Sequence, residues 1–465
     1  MMVPMDAPMN APLSRSVVLL LAVTVLAYLV IGTLYAVLTP TWQVPDEPAH
    51  YNYIRSLAEE REFPVLERRD YAQDYLRQLT SDGFPPELSI EPLEYEDHQP
   101  PLFYLLATPI YVLFRGQVLP LRLISVGLGA ALLLFAFGTA RAIFPRRPEL
   151  ALMGTAFMAF IPQHVAMTAG INNDTLAELV VGGTLWALMV YLRTGSTPPP
   201  GHERSSPSRP TGVQPAQVGL LLAAALLTKT TAYVAMAAAI VAVAIRWWRE
   251  QRPWHWAARQ LAWMLIPAVL LSAPWFLRNA RVYGWTDPLA LARHNAVVEG
   301  QPRSAEWLAS YGWRGLLSRM ARTTFHSFWG QFGWMAVPLP SPVYRGLAVL
   351  SAILAVGFVL WLATGPQGRR SIDALTCQRL SVLAVSALLT ISAYVWYNLT
   401  FVQHQGRYLF PALIPLATAA ALGLDKLVAA LPKRLRGWML GSLFTGLAVF
   451  SLYCLFRVVI PNLAR

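Results

Sequence analysis

Charged residues and cysteines are scarce in this sequence, and both shortages exclude classes of protein. Asp, Glu, Lys and Arg make up 13% of the 465 residues, whereas a soluble protein carries roughly a quarter. The two cysteines, Cys377 in a polar loop and Cys454 in an apolar run, provide neither a disulfide framework nor a zinc site. Walker, HExxH and GxSxG motifs are missing, so nothing supports a nucleotide-driven pump, a protease or a hydrolase.

Long apolar runs are abundant instead. Hydrophobic residues make up 55% of the sequence, and runs near twenty residues recur throughout, so lipid is the solvent for most of the chain. The first run, 17–38, carries no charge and no cleavage site after it, which favours a retained anchor over a signal peptide. We predict eleven membrane helices, centred in 17–38, 119–140, 149–167, 175–193, 215–229, 231–247, 260–277, 346–364, 380–398, 408–425 and 437–457.

The apolar segment 102–114 decides the topology. It is too short to span a bilayer, and we interpret it as an interfacial or re-entrant helix. With this segment left out and the N-terminus inside, all five inner loops follow the positive-inside rule. The basic residues of those loops are Arg141, Arg146, Arg147, Arg193, Arg204, Arg209, Arg246, Arg249, Arg252, Arg259, Arg369, Arg370, Arg379, Lys426, Lys433, Arg434 and Arg436.

This topology predicts a single membrane domain, 1–465, with two long outer loops, 39–118 and 278–345. The first outer loop should carry juxtamembrane helices. The segment 194–214, rich in Pro, Ser, Gly and Arg, is predicted to be a flexible cytoplasmic linker. The net charge of +12 is explained by the inner loops, so no nucleic acid partner is expected. The protein should therefore be a multi-pass membrane protein.

An acidic motif opens the first outer loop. Pro-Asp-Glu-Pro-Ala-His occupies 45–50, and the loop up to Gln99 holds 14 of the 25 acidic residues. Asp46 has two compatible interpretations: it caps a helix that begins at Glu47, or it is a general base that deprotonates an acceptor hydroxyl during sugar transfer. The loop ends with Glu-Asp-His-Gln-Pro-Pro at 96–101. That segment either starts the interfacial helix or returns His98 and two acids to the membrane face of Asp46.

A second acidic position is Asp174, in Asn-Asn-Asp-Thr at 172–175, where one helix ends outside and the next begins. Thr175 and Glu178 have capping-box spacing, which offers a purely structural explanation. Alternatively, Asp174 supplies a second outer carboxylate. The pair Asp46 and Asp174 would then either orient an acceptor or share a divalent cation, and the sequence leaves both open.

Three cationic residues lie at outer helix ends, on the side opposite the positive-inside bias: Lys229, Arg278 and Arg407. A single such residue commonly snorkels to lipid headgroups. Three together suit a phosphate or pyrophosphate, for which arginine offers two parallel donors. A lipid phosphate lies at this depth of the membrane.

An aromatic segment, 325–334, lies in the second outer loop and includes His326 and Gln331. It is interpreted either as an interfacial aromatic belt or as a surface for a saccharide, which offers CH faces and hydroxyl edges. This loop is basic whereas the first is acidic, so the two loops are expected to meet by charge complementarity.

These motifs together resemble the GT-C superfamily of membrane glycosyltransferases, which includes protein O-mannosyltransferases and the aminoarabinose transferases that modify lipid A. The Asp46-Glu47 pair is similar to that family's first acidic motif, and His98-Gln99-Pro100-Pro101-Leu102 to its His-Pro-Pro-Leu element. Asp174 falls where a second acidic residue is usual, and Leu227-Thr228-Lys229 is similar to a Leu-Thr-Lys element. More narrowly, Pro-Asp-Glu-Pro-Ala-His, Asn-Asn-Asp and Gln-Gly-Arg-Tyr (405–408) are similar to an uncharacterised bacterial branch of predicted membrane proteins.

The resemblance implies an all-α polytopic membrane protein, a GT-C-like bundle of about eleven transmembrane helices with two long outer loops. It further implies a polyprenyl-phosphate or polyprenyl-diphosphate sugar donor and an inverting transfer to a glycan, lipid or protein at the outer face. Two departures are the inserted Gln99 and the lack of an obvious soluble C-terminal domain, and the need for a divalent cation stays open. The expected catalytic residues are Asp46, Glu47 and Asp174, and the expected substrate-binding residues are His50, His98, Lys229, Arg278, His326, Gln331, Gln405, Arg407 and Tyr408.

Three alternatives remain at this level. A transporter or flippase of lipid-linked saccharides would share the phosphate-binding cations, but it needs polar residues along a path to the inner side, and the mid-helix positions are largely apolar. A metal-free polymerase or ligase of surface polysaccharide would need no early carboxylate. A non-enzymatic scaffold would need none of these residues.

Overall fold

The apolar runs form long helices, because a chain in lipid must satisfy its backbone hydrogen bonds internally. The computed structural model describes residues 12–193, 212–365 and 372–463. Its helices are α1 (Arg15–Leu38), α2 (Glu47–Glu59), α3 (Gln73–Ser81), α4 (Leu102–Leu113), α5 (Val118–Ile143), α6 (Pro148–Ala159), α7 (Pro162–Thr168), α8 (Asp174–Arg193), α9 (Pro215–Leu226), α10 (Val234–Arg249), α11 (Trp254–Tyr283), α12 (Leu291–Val297), α13 (Ser304–Trp329), α14 (Ser341–Thr364), α15 (Ala374–Asn398), α16 (Leu413–Val428), α17 (Lys433–Cys454) and α18 (Ile460–Leu463).

Shorter elements complete the architecture. The 3-10 segments Thr230–Tyr233 and Gly406–Ala412 lead into α10 and α16, and a π-helical segment, Leu455–Val459, joins α17 to α18. Two-residue strands, β1 (Gln331–Phe332) and β2 (Val337–Pro338), pair antiparallel in the second outer loop. The chain is therefore all-α in its described part apart from this hairpin and two isolated bridges.

Nine of the eleven predicted spans are confirmed, within the described ranges, as continuous helices long and apolar enough to cross a membrane. The span predicted at 149–167 is broken into α6 and α7, bent by 69°, because Pro162 cannot continue the preceding helix. The span predicted at 215–229 is a helix of 12 residues, α9, which is about 18 Å long and too short to cross alone.

The helix α8 lies at the centre of the bundle. In the most apolar 18-residue stretch of α8, 89% of the residues are buried, whereas in that of α1 only 17% are buried. Leu19 and Leu26 of α1 are largely exposed, as expected for side chains that face lipid. The position of α8 matters for function because Asp174 is its first residue, at the outer end of this central helix.

Two glycines permit the close packing of α14 against α16. A Cβ on Gly357 would lie 2.4 Å from the carbonyl oxygen of Gly423, and a Cβ on Gly423 would lie 2.3 Å from the carbonyl oxygen of Leu354. Small residues at such crossings bring two backbones together, which is a common source of helix association in membranes.

The short apolar segment forms α4, a 12-residue helix that contains Pro109. Its first amide, on Leu102, donates to the carbonyl of Leu227 at 2.8 Å, so α4 begins at the break between α9 and the next 3-10 segment. Leu105 and Leu113 are exposed. The helix has the length expected of an interfacial element. Most of the predicted linker, 194–211, lies outside the described residues.

The two outer loops meet through backbone carbonyls. Arg278 donates from Nη2 to the carbonyls of Phe63 (2.9 Å) and Pro64 (2.6 Å), and Arg293 donates from Nε to that of Leu66 at 2.9 Å. The basic side chains of the second loop therefore do contact the acidic loop, as predicted. In these contacts, however, they bind its carbonyl oxygens and not its carboxylates.

Candidate active site

A cavity of about 280 Å³ lies between the two outer loops and the 3-10 segment that leads into α16. Its wall is mostly polar and aromatic. Tyr71, Tyr95, Tyr397 and Trp334 provide ring faces. The charged and hydrogen-bonding groups of the wall include those of Asp46, Glu96, Gln405, Arg407 and Tyr408.

Asp46 directs its carboxylate into this cavity. It precedes α2 but has φ +67° and ψ −4°, and its side chain makes no hydrogen bond to the first amides of the helix. The interpretation of Asp46 as a capping side chain is therefore wrong, because this left-handed backbone turns the carboxylate away from those amides. For an L-residue the conformation costs about 1 kcal/mol. Tyr95 and Arg407 hold the carboxylate instead: the Tyr95 hydroxyl donates to Oδ1 at 2.9 Å, and Arg407 Nη2 donates to Oδ2 at 2.5 Å.

Arg407 reaches Asp46 because Gly406 fits tightly against α13. A Cβ on Gly406 would lie 2.3 Å from the backbone nitrogen of Phe328, and the Gly406 amide donates to the Ser327 hydroxyl at 2.7 Å. Arg407 also donates from Nε to Oε1 of Gln405 at 2.7 Å. The Gln-Gly-Arg segment thus aims a guanidinium at the carboxylate.

A second ion pair joins Asp174 and Lys229, with Oδ1 and Nζ 2.7 Å apart. The capping box predicted from Thr175 and Glu178 is wrong. Glu178 is buried and pairs with Nε2 of His164 at 2.9 Å, while the amide of Thr175 donates to Oδ1 of Asn172. The turn is thus capped by Asn172, which leaves Asp174 free to bind the lysine.

Neighbouring charges and burial shift the pKa values of the residues in this site. Burial acts to raise the pKa of Asp46, but the charge of Arg407, its hydrogen bond and the charge of Lys229 outweigh burial, so that the pKa is lowered. Burial lowers the pKa of His50, whose Nδ1 lies 2.8 Å from the Tyr104 hydroxyl. Asp46 is therefore ionised at neutral pH, and His50 is neutral. The sequence suggested an acidic side and a cationic side, whereas the structure pairs each acid with a cation.

Four predicted residues lie against this cavity, namely Asp46, Gln405, Arg407 and Tyr408. His98 lines a small neighbouring cavity and packs on His294, with ring centroids 4.7 Å apart. His294 itself lines the larger one.

Other predicted residues are engaged elsewhere. Glu47 is fully buried, and Arg122 donates to its Oε1 at 2.7 Å and to its Oε2 at 2.6 Å. His326 stacks on Tyr344 at 3.6 Å. Gln331 donates from Nε2 to the carbonyl of Met335 at 2.8 Å. Three more predicted residues contact other parts of the protein: Arg278 binds carbonyls of the first outer loop, His50 contacts Tyr104, and Lys229 pairs with Asp174.

Sequence reasoning predicted Tyr408 but missed three other tyrosines of the cavity. Tyr95 contacts the carboxylate of Asp46 directly, and Tyr71 and Tyr397 form part of the wall. Tyr95 stands immediately before the Glu-Asp-His cluster, so its position next to acids was a usable signal. Nothing in the pattern around Tyr71 or Tyr397 separates them from ordinary interfacial aromatics.

Two arrangements of acidic residues bear on metal binding. Asp46 and Asp174, the pair suggested for a shared divalent cation, each have a basic partner. In the described part of the chain a closer group of acids lies elsewhere in the first outer loop, at Asp70, Glu94 and Asp97.

Comparison with known proteins gives one family and a set of remote structural neighbours. The family described as "Predicted membrane protein (DUF2142)" matches residues 101–416. No curated protein matches the sequence.

Two solved structures illustrate the structural likeness. ArnT from Cupriavidus metallidurans, bound to undecaprenyl phosphate, is 16% identical with a TM-score of 0.48; the match covers 97% of this chain and 74% of ArnT. The oligosaccharyltransferase of Archaeoglobus fulgidus, solved with Zn and sulfate, is 15% identical with a TM-score of 0.48; the match covers 96% of this chain and 53% of the enzyme. The chain therefore spans about half of the oligosaccharyltransferase.

Proposed function

We propose that this chain, which belongs to the DUF2142 family of predicted membrane proteins, is a glycosyltransferase that moves a sugar from a polyprenyl-phosphate or polyprenyl-diphosphate donor to an acceptor at the outer face of the membrane. The observation that carries the proposal is the Asp46–Arg407 ion pair at the wall of the cavity. It combines a cation suited to a phosphate with a carboxylate suited to a base. The order of motifs that resembles GT-C enzymes supports the same reaction.

The donor phosphate competes with Asp46 for Arg407. Guanidinium groups bind phosphate as well as carboxylate, and Nη1 of Arg407 remains available for a second contact while Nη2 and Nε bind Asp46 and Gln405. Loss of the arginine removes the largest charge effect that lowers the pKa of Asp46. Donor binding therefore makes Asp46 a stronger base, at the moment when a base is needed.

The transfer step then follows. The acceptor oxygen attacks the anomeric carbon, and its proton passes to a carboxylate oxygen of Asp46. The bond between that carbon and the donor phosphate oxygen breaks, and its electron pair leaves with the polyprenyl phosphate or diphosphate. Arg407 stabilises the charge that develops on this leaving group. Attack from the side opposite the phosphate inverts the anomeric centre.

Lys229 and Asp174 form the second half of the proposed site. Lys229 exchanges its carboxylate partner for the donor phosphate in the same way, and Asp174 orients the acceptor. Glu47, with both oxygens bound to Arg122, takes no part in the chemistry of this proposal. Arg278 acts on the outer loops rather than on the phosphate.

The two long outer loops and the positive-inside pattern support an active site at the outer, periplasmic face of a bacterial inner membrane. At that face a membrane-embedded polyprenyl chain brings its phosphate to the depth of the helix ends. Glycans, lipids and proteins are all accessible acceptors there. The volume of the cavity, about 280 Å³, is close to the lower limit of small-ligand sites, about 300 Å³, and suits a monosaccharide.

The proposal is tested with purified protein in liposomes, a panel of synthetic polyprenyl-phosphate sugars, and glycan, lipid and protein acceptors. We expect the wild type to bind a donor and release polyprenyl phosphate. Asp46→Asn should bind the donor more tightly than the wild type, because the carboxylate no longer competes for Arg407, and should lose release by about 100-fold or more, the usual contribution of a general base. Asp74→Asn, in the same loop with a side chain 97% exposed, is the control and should match the wild type.

Other outcomes would point to the alternatives. Unchanged release in Asp46→Asn contradicts the assignment of the base. Movement of labelled donor between leaflets without release of polyprenyl phosphate indicates a flippase instead.

A further inference from the structure

Three acidic side chains of the first outer loop lie together outside the cavity. Asp70, Glu94 and Asp97 each offer a carboxylate oxygen, and these oxygens all lie within 4.8 Å of one another. The backbone brings them together, because the amide of Glu94 donates to the carbonyl of Asp70 (3.2 Å) and that of Asp97 donates to the carbonyl of Glu94 (3.1 Å). The arrangement is thus a fixed feature of the loop.

Asp97 is the most buried of the three acids, and one of its carboxylate oxygens has no hydrogen-bond partner. The residue is 3% exposed, and its Oδ1 is buried without a hydrogen-bond partner. A buried carboxylate without a partner is costly, and proteins normally pair such a group with a cation or bind a metal to it. Burial, followed by the charges of Glu94 and Asp70, raises the pKa of Asp97 well above its usual value. The buried oxygen without a partner indicates that a positive charge is missing here.

The arginines whose charges act on these acids, Arg278, Arg293 and Arg55, form no ion pair with them. Arg278 and Arg293 donate to backbone carbonyls at 63–66, and Arg55 pairs with Glu91. Among the residues that the structure describes, none of the three acids forms an ion pair. The basic side chains close to the cluster are thus committed to other partners.

We propose that Asp70, Glu94 and Asp97 bind a hard divalent cation of the calcium class. Calcium takes oxygen ligands at about 2.3–2.6 Å, so two of its ligands lie at most about 5 Å apart, which the three oxygens satisfy. The site offers no nitrogen or sulfur, which disfavours zinc. Asp70 and Glu94 are only partly buried, so water can complete the coordination shell.

The position of the site gives the cation a structural role. Glu94 and Asp97 flank Tyr95 and Glu96, and Tyr95 donates its hydroxyl to Asp46. A bound cation would fix 94–97 against Asp70 and so hold Tyr95 in place at the cavity. This inference concerns binding and stability, and it does not depend on the proposed reaction.

The test is a cation titration of the full-length protein in detergent, after chelation and at constant pH. Thermal unfolding is followed by the fluorescence of the 16 tryptophans. We expect calcium to raise the melting temperature saturably, by about 2 °C or more, because the folded state alone binds it. Terbium should bind the same site, give luminescence sensitised by the neighbouring tyrosines, and be displaced by calcium.

Variants identify the site. Asp97→Asn and the pair Asp70→Asn with Glu94→Gln should each abolish the calcium response, whereas Asp74→Asn should keep it. A wild type with neither a saturable shift nor displaceable terbium overturns the proposal, and so does a calcium response that survives in Asp97→Asn. If Asp97 is instead a neutral carboxyl group, Asp97→Asn will match the wild type in chelator and calcium will change neither protein.

Discussion

Arg407 and Asp46 form an ion pair, with Nη2 and Oδ2 2.5 Å apart, across a sequence separation of 361 residues. A double-mutant cycle measures what this contact does. We expect Arg407→Gln to weaken the binding of polyprenyl phosphate by about tenfold or more, since one charge-assisted contact with the phosphate is lost. Asp46→Asn should strengthen that binding, because the carboxylate no longer competes for the guanidinium.

The double variant decides between competition and simple structural support. If Asp46 competes with phosphate for Arg407, the gain from Asp46→Asn disappears once Arg407 is replaced. Equal gains in both backgrounds would show that the two residues act independently. Binding is measured calorimetrically, with Asp74→Asn as the matched control.

Tyr95 should hold the carboxylate of Asp46 in position for proton transfer without binding the donor. Tyr95→Phe removes the hydroxyl that donates to Oδ1 of Asp46 at 2.9 Å, and a hydrogen bond to a charged group contributes about 1.5–3 kcal/mol. We expect sugar transfer to fall by about tenfold or more while the affinity for polyprenyl phosphate stays unchanged. Tyr75→Phe, which removes a hydroxyl bound to the carbonyl of Ser89 in the same loop, serves as the control. A matching loss of donor affinity in Tyr95→Phe would contradict the assigned role.

Glu47 should be needed for stability rather than for chemistry. Its side chain is fully buried and that of Arg122 is 3% exposed, and breaking a buried pair of this kind costs about 3–5 kcal/mol. We expect Glu47→Gln to lower the melting temperature strongly, whereas Glu60→Gln, an exposed change at the end of the same helix, should not. A Glu47→Gln protein with wild-type stability and no transfer activity would restore Glu47 to the catalytic residues.

The stability of the protein should decrease on mild acidification because of His50. Burial lowers the pKa of this histidine below its usual 6.5, and the charge of Lys229 lowers it further. The charges of Glu96, Asp46 and Asp174 raise the pKa but do not outweigh burial. The unfolded chain therefore binds a proton at His50 as the pH falls through about 6.5, while the folded protein does not. Between pH 8 and pH 5, the contribution of His50 to the melting temperature should thus be flat above this value and become destabilising below it.

The contribution of His50 is isolated by substitution. His50→Gln should reduce the loss of stability below pH 6.5, and His255→Gln, at an exposed position, should leave it as in the wild type. An unchanged slope in His50→Gln would show that this histidine does not carry the effect.

The sequence alone determined the membrane architecture. Lipid demands long apolar helices, so nine of the spans follow from hydropathy and length. The prediction of a continuous span was wrong at 149–167 and 215–229. There Pro162 and the polar Thr228-Lys229 break the helices, and local packing decides how far each one extends. The positions of Asp46, Asp174, Lys229 and Arg407 near helix ends also followed from the order of apolar and polar segments.

Only the tertiary structure decided which of these residues meet. Asp46 and Arg407 come from opposite ends of the chain, and their contact depends on the left-handed backbone of Asp46 and the close fit of Gly406 against α13. Hydropathy reports the depth of a residue in the membrane but contains no information about the direction of a side chain within that layer. For the same reason Arg278, at the expected depth, binds the carbonyls of the first outer loop, while Tyr95, which no motif marked, contacts the carboxylate.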